Sequence, residues 1–145
     1  FDNDMVLRHT FVERVDCLKP LQKSKYVQSS LNGIYKKIKE YLEEGRKVLF
    51  AGVGCQAAGL RNFIGDNENL LIVDVVCYGV PSSGLFQDWI RYLEKKYGKV
   101  EDVRFRDKSY GYASPNVKVL FENGKYIEAC RDSNMYTDLF FRHTW

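Results

Sequence analysis

The segment KVLFAGVGCQAAGL, residues 47–60, decides how the chain is read. Val48, Leu49 and Phe50 form a short apolar strand, Gly52 and Gly54 turn the chain, and CQAAGLRNFI continues as a helix that Gly65 ends. Glycines at 52, 54 and 59 nearly spell a dinucleotide-binding fingerprint, but two residues too many separate the last two. Three readings are open at this point: a phosphate cradle, a thiol site on Cys55, or a strand-to-helix corner without chemistry. Glycines let a backbone approach a ligand closely, and a helix start offers unpaired amides and partial positive charge to an anion. The same field favours a thiolate over a thiol, which suits iron ligation or redox chemistry.

Downstream, LLIVDVVC at 70–77 is an apolar run of strand length rich in branched residues, the pattern of a parallel strand buried on both faces. After CYGVPS, Ser82 or Ser83 would cap GLFQDWIRYLEKKYG, whose Leu85, Phe86, Trp89, Ile90 and Leu93 share one face. The period then switches to two in VEDVRFRD, NVKVLFE and KYIEACR, with the hairpin signal ENGK between the last two. SNMYTDLFFRHTW reads as a final helix. Upstream, MVLRHTFV and KYVQS read as short strands, and Ser29 or Ser30 would cap a helix running to about Glu44 before Gly45.

The fold class this implies is α/β: a mixed, partly parallel sheet flanked by helices, with an antiparallel hairpin in the C-terminal half. In such sheets ligands sit beyond the carboxyl ends of the strands. GVGCQ and CYGVPS both leave such ends, which brings Cys55 and Cys77 toward one another. A packed core residue explains Cys77 as well as a ligand does, and turn geometry alone explains Gly79, Pro81 and Ser82. A third stretch, VRFRDKSYGY at 103–112, puts Arg104 and Arg106 on one strand face and Val103 and Phe105 on the other. Guanidinium groups there would grip a pyrophosphate with Lys108, and Tyr110 and Tyr112 would flank a flat heterocycle. A solvated strand face ending in a turn accounts for the same residues.

Composition narrows the classes. The 145 residues suit one α/β domain, 1–145, on the soft prior of roughly 100–200 residues per domain. A net charge of +3 is too small to argue for nucleic acid or a lipid surface. The basic runs KKIK at 36–39 and KK at 95–96 sit among acidic neighbours on helix faces. No apolar run approaches the ~18 residues of a membrane span and no signal peptide opens the chain, so a cytoplasmic protein is expected. Cys17, Cys55, Cys77 and Cys130 contain no CxxC pair and build no self-contained metal site. A cysteine hydrolase or transferase using Cys55 lacks an obvious base, since His9 and His143 are the only histidines. The opening at Phe1 and the close at FFRHTW read as an excised segment of a longer protein.

Taken in order, SKYVQSSLNGIYKKIKEYLEEGRKVLFAGVGCQAAGL, LLIVDVVCYGVPS and VRFRDKSYGY resemble the coenzyme F-420 hydrogenase/dehydrogenase beta subunit family across almost the whole chain. Members read GTPCQ and CHGVPS where this chain has GVGCQ and CYGVPS. Cys55, Gln56, Cys77, Gly79, Val80, Pro81 and Ser82 match, while Val53, Gly54 and Tyr78 depart. The resemblance implies an iron–sulfur flavoprotein that moves electrons between a four-iron four-sulfur cluster, FAD and a hydride acceptor. It implies Cys55 and Cys77 as cluster ligands, with the other pair in a CxxC segment beyond Trp145. It implies Gly52, Gly54, Gln56, Gly79, Pro81, Arg104, Arg106, Lys108 and Tyr110 as the cofactor-binding set. It also implies a small-molecule redox substrate, deazaflavin F-420 among the candidates, and a partner redox subunit. The histidine that relatives carry at position 78 is a tyrosine here, which leaves proton transfer at that position without its usual group. A binding or scaffold module that kept the fold without redox cofactors is the alternative.

Overall fold

The computed structural model describes the chain apart from residues 78, 110, 112–115, 130–133 and 143–145. Its chain forms two compact units, Leu31–Tyr78 and Phe1–Ser30 with Gly79–Trp145. Among the described residues the predicted parallel and antiparallel pairings are both present, in two sheets of two and three strands.

The Leu31–Tyr78 unit runs α1 (Ile34–Glu43), β1 (Val48–Val53), α2 (Gly54–Ile64) and β2 (Leu70–Val75). Ile34, Ile38 and Leu42 recur every four residues along α1 and bury one stripe. Neither Ser29 nor Ser30 caps this helix. Gly33, left-handed at φ 75°, stands at the N-cap, and Gly45 at φ 76° ends the helix as expected. Ser30 is held instead by a backbone bridge, donating to Leu7 O at 2.8 Å and accepting from His9 N at 3.0 Å.

β1 and β2 pair in parallel from Val48 opposite Leu70 to Val53 opposite Val75, with α2 as the crossover. α1 and α2 pack together and against the strands, over Phe50 and Leu60. The expectation that 70–77 is buried on both faces is corrected here: Leu71 is 59% exposed, Val73 42% and Val75 49%, with Leu49 on β1 at 64%. Helices of this unit cover one face of the pair, so alternate residues of an apolar run point away from them.

The other unit contains α3 (Ser83–Tyr97), β3 (Val100–Arg104), β4 (Val117–Phe121), β5 (Tyr126–Ala129) and α4 (Met135–Arg142). Ser82 caps α3, its hydroxyl accepting from Leu85 N at 3.2 Å. Phe86, Trp89, Ile90 and Leu93 of α3 join Val100, Val103, Val117, Val119 and Phe121 of the sheet in one buried core. The ENGK hairpin forms, with Gly124 left-handed at φ 77° and donating to Phe121 O at 2.9 Å. Asn134 caps α4, accepting from Tyr136 N and Thr137 N at 3.1 and 3.3 Å. Buried Tyr136 stacks on Trp89 at 5.2 Å and donates to Tyr26 O at 2.7 Å.

The predicted strand MVLRHTFV and its neighbour KYVQS reduce to one parallel bridge, Arg8 with Ser30. The Asp2 carboxylate takes the amides of Asp4 and Val6 at 3.1 and 2.8 Å, and Met5 turns to φ 55°. That local turn withdraws amides a strand ladder would need.

Candidate functional site

The three glycines of residues 47–60 each answer to a different side chain within the Leu31–Tyr78 unit. A Cβ on Gly52 would stand 2.7 and 2.8 Å from ring carbons of Phe50 and 3.2 Å from Gln56 Oε1. Gln56 is buried, and its side-chain oxygen accepts from Val53 N at 3.4 Å, half of a capping box at the start of α2. A Cβ on Gly59 would meet Tyr35 Oη at 3.0 Å, and that hydroxyl donates to Gln56 O at 2.7 Å. Burial, and behind it the neighbouring Cys55, pushes the Tyr35 phenol above its ordinary range. Gly54 faces Asp74: both carboxylate oxygens lie 3.5 Å from its Cβ position.

This arrangement weakens a phosphate cradle. A helix start favours an anion by about 0.3–1 kcal/mol. A carboxylate ~4 Å from a phosphate opposes it by about 1 kcal/mol in water and about 4 kcal/mol at an effective dielectric of 20, per pair of unit charges. Asp74 is exposed, so the figure for water applies, and its charge about offsets the attraction of the helix start for an anion.

Cys55 is the second residue of α2, and Cys77 follows the end of β2 by two residues; both are exposed. Val53 opposite Val75 is the last pair of the parallel register, so the two cysteines leave neighbouring strand ends. Exposed thiols on neighbouring ends fit two ligand positions of an iron–sulfur cluster. Among the described residues no group of three or more His, Cys, Asp or Glu is placed to hold a metal ion. An open cavity of about 390 Å³ lies at the other end of the unit's helix and strand, where Arg61, Gly65, Asp66, Glu68, Leu70 and Ile72 line it.

Gly79, Pro81, Arg104, Arg106 and Lys108 belong to the other unit. Gly79 adopts φ 113° and Pro81 is fully buried, both in the approach to α3. Val103 and Phe105 point into the core and Arg104 and Arg106 are half-buried, as the alternation predicts. Arg104 is engaged: its Nε lies 2.9 Å from Asp102 and its Nη1 3.8 Å from buried Asp107. Hydrogen bonds from the Ser109 hydroxyl and amide, with Lys118 and Arg104 beyond, hold the Asp107 carboxyl below the usual carboxylate range. The two carboxylates partly offset the field of the Arg104 charge. Lys108 is exposed. Tyr110, with Tyr78, Tyr112, Cys130 and His143, lies outside the described residues.

Sequence reasoning missed Asp74 and Tyr35. Asp74 had a visible signal, a single charge inside the apolar run 70–77. Tyr35 had none, because an aromatic on an amphipathic helix reads as core.

No helix among the described residues is long and apolar enough to cross a membrane. No curated protein and no solved structure matches the chain. The family model for the carboxyl-terminal part of the coenzyme F420 hydrogenase/dehydrogenase beta subunit matches residues 45–136, from the turn before β1 into the first residues of α4. With more than half its length matched, and with β1, α2 and β2 all inside the match, the chain belongs to the C-terminal family of the coenzyme F420 hydrogenase/dehydrogenase beta subunit.

Proposed function

We propose that the protein moves electrons as part of an oxidoreductase, with Cys55 and Cys77 supplying two thiolates to a four-iron four-sulfur cluster. The observation that carries this reading is the pair of exposed cysteines at neighbouring carboxyl ends of a parallel strand pair, in a chain of a redox-related family. When bound, such a cluster accepts and releases single electrons. The chain's own part is to hold the helix turn that carries Cys55. Gln56 fixes the first turn of α2 to Val53, and Tyr35 ties the same turn to α1. FAD and a small-molecule redox substrate, with deazaflavin F-420 the one the family name suggests, complete the proposal.

Full-length protein purified anaerobically should be brown-yellow and contain iron and sulfide. Cys55→Ser and Cys77→Ser should each lose most of the iron and its visible absorbance while circular dichroism is unchanged. Unchanged iron in both variants overturns the ligand assignment. A colourless, iron-free wild type supports the second reading, a binding module without redox cofactors, which the sequence departures from the family's pattern at Val53, Gly54 and Tyr78 favour.

A further inference from the structure

Asp74 stands in an unusual place for a charge. It interrupts an apolar strand, its register partner is Gly52, and its carboxylate lies against Gly54 at the first turn of α2. Among the described residues that carboxylate has no hydrogen-bond or ion-pair partner. It is exposed, so neither packing nor a salt bridge explains it. The space a nucleotide fingerprint would leave open is filled as well, by the Phe50 ring and Gln56 amide at Gly52 and by the Tyr35 hydroxyl at Gly59.

We propose that Asp74 is a charge-selecting residue. It weakens the binding of phosphate and diphosphate groups, the flavin's own included, at the start of α2. An exposed carboxylate beside a helix start offsets the attraction that unpaired amides offer an anion and adds attraction for a cation. The inference rests on reading this strand end as the working end, and extends it from which residues act to which ligand charge they admit.

The test is pyrophosphate titration of the full-length protein by calorimetry. Asp74→Asn should bind inorganic pyrophosphate at least tenfold more tightly than wild type, and Asp74→Glu, which keeps the charge, should bind like wild type. Circular dichroism of the three proteins checks that the fold is kept. Equal affinity of wild type and Asp74→Asn, including no detectable binding by either, overturns the proposal, as does an equal gain in Asp74→Glu. Iron content measured on the same preparations separates the two ideas. Iron lost in Cys55→Ser with no gain in Asp74→Asn sinks the charge selection alone. A gain in Asp74→Asn with iron-free wild type sinks the cluster reading alone.

Discussion

On the antiparallel sheet the side away from the core is closed by charge. Lys118 stands opposite both Arg104 and Glu128, lies 3.9 Å from the Glu128 carboxylate and sits 4.2 Å over the Tyr126 ring, while Asn116 donates to Glu128 at 2.9 Å. On the parallel pair the corresponding side is Leu49, Leu71, Val73 and Val75, apolar and open. An antiparallel sheet commonly meets water on one face and carries polar residues there, whereas a parallel sheet is ordinarily covered on both. The contrast separates two uses of charge. In one region Lys118 and Arg104 each have a carboxylate close by and the result is a scaffold; in the other a carboxylate and two cysteines stand exposed at a strand end.

The largest effect that would test this contrast comes from the closed region. Phe86→Ala empties a fully buried ring site among Trp89, Phe105 and Tyr136 and should cost about 3–5 kcal/mol in urea denaturation. Val73→Thr on the open face should stay within about 0.5 kcal/mol. A cost for Val73→Thr approaching that of Phe86→Ala would show the open face to be covered in solution and would erase the difference.

A smaller effect sharpens the account of the glycine turn. Gly52→Ala should destabilise by about 1–3 kcal/mol, because its methyl overlaps the Phe50 ring. Most of that cost should disappear in a Phe50→Leu background, which removes the ring carbons in conflict. An undiminished cost in the double variant would move the constraint from Phe50 to the backbone.

The smallest effect concerns the charge ladder. Because the Asp107 carboxyl is held below its unfolded range, chiefly by Ser109, it adds stability at pH values above the unfolded carboxylate range, and that stability is lost as pH falls through the folded value. Ser109→Ala should raise the Asp107 carboxyl toward its unfolded range, lower stability at neutral and alkaline pH by the part the Ser109 hydroxyl supplies, and leave stability at the most acidic pH nearly unchanged, so that less is lost on acidification. Acid titrations of the two proteins that superimpose would remove Ser109 from this role.

Much of this was legible in the chain. The ENGK turn and the stripe of α3 depend on neighbours in sequence, and both formed where local chemistry put them. The Ser82 cap is equally local. Readings failed where a distant group competed. Ser30 satisfies a backbone bridge to Leu7 and His9 instead of capping α1, and the Asp2 carboxylate bends the N-terminal stretch that alternates like a strand. The burial of 70–77 on both faces failed because an apolar run carries no record of how many faces will find a partner.

Periodicity, turn residues and family membership were settled by the order of amino acids, since each is a property of short stretches. Glycines 52, 54 and 59 were visible there too, but not what they make room for. Parallel pairing carries Asp74 to the level of Gly52, and helix packing brings Tyr35 to Gly59. A helix start attracts any anion that comes within a few ångströms, and only the folded register decided that the nearby anion is the protein's own carboxylate.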